Sequence, residues 1–148
     1  MASRKLLIAL IILMATLWGV ACGQPTDDEK ANTSFAEDGK YLICPVEESV
    51  CLTLLAHDDN GVASYFVAVC NSEDYSENFH TPESYRARDT LLATWDETTM
   101  RFWVYSSDTG TSYWDYVGGE WIEHKYDKTQ DNDKVPSALK QARPKYFQ

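Results

Sequence analysis

From Lys40 onward, short runs of β-branched and aromatic residues alternate with segments rich in Gly, Asn, Asp and Ser. This alternation predicts strands joined by turns, and the turns between the last four runs are short enough for a meander. We therefore expect a mainly β fold: a single small antiparallel barrel or sandwich of about seven strands with a short C-terminal helix. The predicted strands are Lys40–Cys44, Val50–His57, Val62–Cys70, Thr90–Trp95, Met100–Ser106, Thr111–Val117 and Glu120–Tyr126, and the predicted helix is Pro136–Arg143.

The clearest turn in the chain is Asn60-Gly61, which separates the second and third runs. A type I′ turn needs positive φ at both central residues, and Asn-Gly is a pair that adopts it readily. With these two residues at the centre of the turn, Cys51 faces Cys70 directly. Both faces of this hairpin are apolar, so we expect it to lie centrally in the fold and to be covered on both sides.

The chain has four cysteines, at positions 22, 44, 51 and 70. Directly opposed strand residues have Cα atoms about 4.5–5.5 Å apart, which is within disulfide range. A disulfide between Cys51 and Cys70 is therefore predicted, with Cys44 left as a buried thiol. The alternative is a Cys44–Cys51 disulfide that closes the loop Pro45–Val50, because a shift of one residue in register would separate Cys51 from Cys70.

The segment Asn71–Arg88 interrupts the strand pattern, because it is polar and contains Pro82. Thr81-Pro82-Glu83 has the composition of a helix start, with a hydroxyl cap and proline at the first helical position. We expect a long loop with one or two helical turns. Loops of this length in a compact domain are often functional.

The last four predicted strands place aromatic and charged residues on one sheet face. If Ser107–Gly110 forms the turn, Trp103 lies directly across from Trp114, and Trp121 lies on the next strand. Flat rings stack on sugars or pack on protein surfaces, and charged groups form hydrogen bonds around them. The predicted ligand-binding residues are Trp103, Trp114, Trp121, Tyr105, Tyr116 and Arg101. The alternative is that these rings are structural and lie under the C-terminal tail or the loop Asn71–Arg88.

The N-terminus has the layout of a secretory signal peptide. Arg4 and Lys5 precede Leu6–Val20, an uncharged run of 15 residues. A bilayer-spanning helix needs ~20 apolar residues, so this run is short for a permanent anchor.

The leader ends in Gly19-Val20-Ala21-Cys22, which resembles the lipobox of bacterial lipoproteins, although Gly19 replaces the usual branched apolar residue. The resemblance implies cleavage before Cys22, acylation of that cysteine and an extracytoplasmic protein held on the cell envelope by its lipid. The alternatives are an ordinary secretory signal that releases a soluble protein, and an uncleaved anchor. We expect residues 1–21 to be the signal peptide, 22–38 a disordered tether and 39–148 the β domain with its helical tail.

The formal net charge is −10, and removal of Arg4 and Lys5 with the leader would make it more negative. Nucleic acids and anionic membrane surfaces reward a basic face, so this balance disfavours both as partners. A basic protein or a neutral sugar is compatible with it, and solubility alone also explains it.

No pattern in the chain predicts catalysis, a cofactor or a metal site. Asp108-Thr109-Gly110 matches the aspartic-protease triplet, but that chemistry needs two such aspartates, and a turn explains one better. The acidic clusters lack EF-hand spacing. The sequence thus predicts a non-catalytic envelope lipoprotein whose β domain binds a protein or a glycan. A structural or soluble secreted protein with a buried aromatic face and no ligand is the alternative, and a hydrolase of unknown type is the second.

Overall fold

Two antiparallel sheets, of five and four strands, form a sandwich in the computed structural model, which describes residues 34–148. The predicted β sandwich with a short C-terminal helix is confirmed, and within the described residues the sheets do not close into a barrel. The predicted signal peptide and Cys22, the predicted site of lipidation, lie outside the described residues. The strands are β1 (Leu42–Ile43), β2 (Val50–Asp59), β3 (Val62–Asn71), β4 (Glu77–His80), β5 (Tyr85–Arg86), β6 (Leu91–Trp95), β7 (Arg101–Ser106), β8 (Gly110–Val117) and β9 (Glu120–Lys125).

The β2–β3 hairpin forms the middle of the first sheet, in the order β1-β2-β3-β4, with β5 also pairing with β3. Its register is the predicted one, and Cys51 pairs with Cys70. Asn60 and Gly61 have φ values of 54° and 86°, as a type I′ turn requires. The Gly61 N–H also donates to Asp58 Oδ1 at 2.6 Å, which ties the turn to the strand before it.

The segment after β3 contradicts the prediction of a helical loop, since it forms β4 and β5, which both pair with β3. Thr81 is fully buried and acts as a strand partner: its N–H donates to the Val67 carbonyl, and its Oγ1 accepts from the Val67 N–H. Pairing with an open strand edge satisfies more backbone groups than an isolated helical turn would.

The second sheet has the order β6-β7-β8-β9. Its inner face packs against the inner face of the first sheet, and this contact is the main core. The buried members of that core are Ala36, Cys44, Leu52, Leu54, Val67, Val69, Tyr85, Ala93, Trp95, Phe102, Val104 and Trp114.

The fold begins earlier than the predicted domain boundary at residue 39. Ala36 is buried, and its N–H donates to the Ala93 carbonyl at 2.8 Å. Asp38 forms a parallel bridge with Leu54 at the edge of the first sheet. The segment therefore joins the edges of both sheets, so the last residues of the predicted tether are structured.

The C-terminal tail covers the outer face of the second sheet. It contains α1 (Lys128–Asp131), a 3₁₀ turn (Asn132–Lys134) and α2 (Ser137–Ala142), which confirms the predicted helix within one residue at each end. A second hydrophobic cluster forms between tail and sheet, with buried members Trp103, Tyr105, Tyr113, Val135, Leu139 and Phe147. Among residues 34–148, no helix has the length and apolarity needed to cross a membrane.

Candidate functional site

The predicted aromatic face is divided between two sides of the second sheet. Trp103 pairs with Tyr113, and Trp114 pairs with Phe102, so the prediction that Trp103 lies across from Trp114 is wrong by one residue. A shift of one residue in an antiparallel pair moves every side chain of one strand to the other face. The predicted turn Ser107–Gly110 is in the right place, but Ser106 pairs with Gly110 instead of Thr111.

Trp114 therefore lies in the sandwich core. It is 2% exposed, and its ring stacks on Phe102 with centroids 4.9 Å apart and planes 3° from parallel. Trp121 follows Trp114 onto this side and contacts Trp95 and Phe102 at the margin of the core. These tryptophans stabilise the packing of the two sheets, so Trp114 is not available to a ligand.

Trp103 lies on the opposite side, under the tail, and is also fully buried. Its ring contacts Tyr113 at 4.6 Å, and Leu139 and Phe147 belong to the same cluster. Trp103 therefore agrees with the alternative hypothesis, in which the aromatic rings are structural and lie under the C-terminal tail.

Arg101 forms a partly buried ion pair with Asp115. Its Nε and Nη2 donate to the two carboxylate oxygens of Asp115 at 2.6 and 3.1 Å, and His124 Nε2 lies 3.4 Å from Asp115. Burial acts to lower the pKa of Arg101, but the Asp115 carboxylate raises it overall. The guanidinium also lies 4.7 Å from the ring centroid of Tyr113. Arg101 is thus occupied by the protein's own carboxylate and has a structural role in this state.

Asp131 fixes the start of the tail. It is buried and accepts hydrogen bonds from the Asp127 N–H, Lys134 Nζ and the Tyr113 hydroxyl. Burial acts to raise the pKa of Asp131, yet these donors lower it overall. The tail is therefore held by charge-assisted hydrogen bonds as well as by apolar contacts.

The end of the β8–β9 hairpin carries exposed apolar side chains. Tyr116, Val117 and Ile122, which we term the hairpin-end patch, are 47%, 61% and 41% exposed. Val117 and Ile122 lie on one face of the hairpin, and Tyr116, which pairs with Trp121, lies on the other face. The Tyr116 ring contacts Trp121 at 5.0 Å, which anchors it to the core margin. Tyr116 and Trp121 are thus the members of the predicted ligand-binding set that lie together at an accessible surface.

A second accessible feature lies where the tail crosses β7. A cavity of about 380 Å³, which we term the tail pocket, is lined by Tyr105, Ala142, Arg143, Pro144, Lys145 and Tyr146. Of the predicted binding residues, Tyr105 lies here. Arg143 and Lys145 are not among the predicted site residues, although the sequence carries a signal for them: the segment after Asp133 has four basic residues and no acidic ones.

The three cysteines of the described region are free thiols. Cys51 and Cys70 face each other on the outer face of the first sheet, whereas Cys44 lies in the core with its Sγ 3.8 Å from Met100 Sδ. Cys44 and Cys51 are therefore on opposite faces, which disfavours the alternative Cys44–Cys51 disulfide. Burial raises the pKa of Cys51 to about 11, and burial also raises the pKa of Cys70.

Two tyrosine rings stack on each other beside the first sheet. Tyr41 precedes β1 and Tyr75 follows β3, and their ring centroids are 4.2 Å apart. Tyr75 adopts a φ of 59°, a left-handed conformation that is uncommon outside glycine, and its N–H donates to the Asn71 carbonyl at 3.0 Å.

Within the described residues, no group of three or more His, Cys, Asp or Glu side chains could hold a metal ion. Comparison with protein-family models, with curated proteins and with solved structures found no significant match to the chain. Function must therefore be argued from the surfaces described above.

Proposed function

We propose that this chain is an exported, lipid-anchored protein of the cell envelope, and that its β sandwich is a non-catalytic domain that binds a basic protein partner. The hairpin-end patch is the binding surface in this proposal. The single observation that carries it is the exposure of three large apolar side chains at the end of one hairpin, with Val117 and Ile122 on one face and Tyr116 on the other.

The composition of the patch favours a protein over a glycan. Tyr116 could stack on a sugar ring, but Val117 and Ile122 are aliphatic and offer no flat face. Aliphatic and aromatic side chains together are typical of the buried centre of a protein interface. Glu120 pairs with Val117 at the hairpin end, and the chain's net charge of −10 attracts a basic partner during encounter.

The proposed location rests on the leader, and the thiol pair is compatible with it. Disulfides persist in oxidising compartments, and Cys51 and Cys70 form a directly opposed pair that an oxidant could join. We therefore propose that the exported protein carries a Cys51–Cys70 disulfide, with Cys44 as a buried thiol.

The binding proposal is tested by affinity capture from envelope extract with two matched variants. In the first, Tyr116→Ser, Val117→Thr and Ile122→Thr remove the patch. In the second, Val46→Thr and Val62→Thr change side chains that are 47% and 49% exposed elsewhere on the surface. The substitutions at the exposed valines should each change stability by less than about 0.5 kcal/mol. Tyr116→Ser also removes the ring contact with Trp121, so thermal unfolding is measured to show that both variants are folded.

We expect one defined protein to be captured by the wild type and by the Val46/Val62 variant and to be lost with the patch variant. Binding of the purified partner should weaken at higher salt, because the proposed attraction includes charge. Equal capture by the patch variant would show that this surface is not the binding site.

The burial of Trp103 and Trp114 favours a second candidate, a structural envelope protein without a ligand. Under this hypothesis neither variant changes any binding, and the effects of aromatic substitutions are confined to stability.

A further inference from the structure

The tail pocket has two positively charged side chains, Arg143 and Lys145, that have no carboxylate partner within the described part of the chain. Among residues 34–148, the ion pairs include neither Arg143 nor Lys145. Arg143 Nε is a buried donor with no hydrogen-bond partner. A carboxylate bound by the Arg143 guanidinium would therefore supply a charge-assisted hydrogen bond that residues 34–148 do not provide.

The walls of the pocket are aromatic and apolar. The Arg143 guanidinium carbon lies 5.3 Å from the centroid of the Tyr105 ring, and the Tyr146 ring meets Tyr105 edge-on at 5.1 Å. Ala142 and Pro144 complete the lining. A guanidinium held over a ring keeps its planar donors in a fixed orientation, which suits two-point binding of a carboxylate.

We propose that the tail pocket binds an apolar carboxylate: a carboxyl group held by Arg143 and Lys145, with an attached apolar group packed against Tyr105 and Tyr146. The volume of about 380 Å³ is at the small end of the range for ligand sites. A flat or branched acid fits the lining, whereas a phosphate alone would leave the aromatic walls without a contact.

The negative net charge does not prevent anion binding at this place. At physiological ionic strength the screening length is about 8 Å, so distant carboxylates contribute little to the local potential. Locally the segment 134–148 contains Lys134, Lys140, Arg143 and Lys145 and no acidic residue. Among residues 34–148, Lys134 is the member of this segment that forms an ion pair, with Asp131, so Lys140, Arg143 and Lys145 are not paired with a carboxylate there.

The pocket is separate from the hairpin-end patch. Tyr146 Oη lies near Gly110 at the first residue of β8, and the patch begins at the last two residues of that strand. The rise of a strand places these ends roughly 20 Å apart. The two proposals can therefore fail independently.

The test is an NMR titration of the ¹⁵N-labelled protein with three probes: benzoate, N-acetylphenylalanine and its neutral amide. Benzoate represents a free small acid, and N-acetylphenylalanine represents the carboxyl end of a peptide. Amides at Tyr105, at Ala142 and Arg143, and at residues 145–147 should shift with one or both acids. The neutral amide should bind at least tenfold more weakly, because it lacks the charge-assisted hydrogen bonds.

Variants identify the cations. Arg143→Gln should weaken acid binding about tenfold or more, and Lys145→Gln should weaken it by a smaller factor. Arg86→Gln is the matched control, because Arg86 is an exposed arginine on β5 and should leave affinity unchanged. If Arg143→Gln does not fold, Lys145→Glu replaces it as the decisive variant, since Lys145 is exposed.

Binding by either acid with the expected loss in these variants supports the proposal and shows which source the site accepts. Three results would overturn it: no shift with either acid, equal binding of the neutral amide, or unchanged affinity in both pocket variants.

Discussion

Leu139 is the residue whose truncation tests most directly whether the tail is part of the core. Its side chain is fully buried, in the cluster with Trp103, Val135 and Phe147. Leu→Ala substitutions in cores cost about 2–5 kcal/mol, from lost transfer energy plus the cavity left behind. The tail is a surface segment that can settle toward the sheet, so we expect the low end, about 2–3 kcal/mol.

Urea unfolding followed by tryptophan fluorescence measures this cost. With a slope of about 1.5 kcal/mol/M, a loss of about 2.5 kcal/mol lowers the midpoint by about 1.7 M and leaves the slope unchanged. Val62→Ala is the control, since Val62 is 49% exposed. It should cost less than about 0.5 kcal/mol.

A midpoint for Leu139→Ala within the error of the Val62→Ala midpoint would refute the reasoning. So would an early transition that affects only the tail, followed by an unchanged main transition. In either case the contact of the tail with Trp103 would not belong to the cooperative unit.

Two further predictions concern the cysteines. In reduced protein, burial raises the pKa of Cys51 to about 11. Alkylation of this thiol by iodoacetamide at pH 8 should therefore be about a hundredfold slower than in the urea-unfolded chain, and equal rates would contradict the buried placement. Between about pH 9 and 11, the Cys51 thiol stays protonated in the folded state but loses its proton in the unfolded chain, where its pKa is near 9. The free energy of unfolding of the reduced protein should therefore fall as the pH rises from about 9 to 11. For the N-terminus, mass spectrometry of the mature protein should show diacyl or triacyl mass on Cys22; an unmodified N-terminus at Gly23 or beyond would end the lipoprotein proposal.

The β2–β3 hairpin was predictable because its register depends on a local signal. Asn60 and Gly61 accept positive φ at little cost, and a two-residue turn leaves one way to pair the strands. The pairing of Cys51 with Cys70 and the two faces of the hairpin followed from that turn.

The β7–β8 turn shows where this reasoning failed. Ser107–Gly110 has turn composition, but three- and four-residue loops both fit it, and only one gives the observed pairing of Ser106 with Gly110. The choice between them moves Trp114 and Trp121 into the core and leaves Trp103 outside it. Nothing local in the turn decides this, because both arrangements offer an apolar face to each side.

Thr81-Pro82 illustrates the same limit. The local composition predicts a helix start, but the open edge of β3 offers backbone partners, and Thr81 pairs with Val67 instead. Arg143 and Lys145 were visible in the sequence as basic residues, but their position beside Tyr105 depends on where the tail packs.

By itself, the sequence determined where strands begin and end in most of the chain, the turn at Asn60-Gly61 and the presence of a C-terminal helix, since these follow from local conformational preferences and the alternation of side chains. Only the tertiary structure decided which tryptophans are buried between the sheets and which lie under the tail. The reason is that a sheet with apolar residues on both faces can satisfy either assignment locally, and the packing of the whole sandwich selects one.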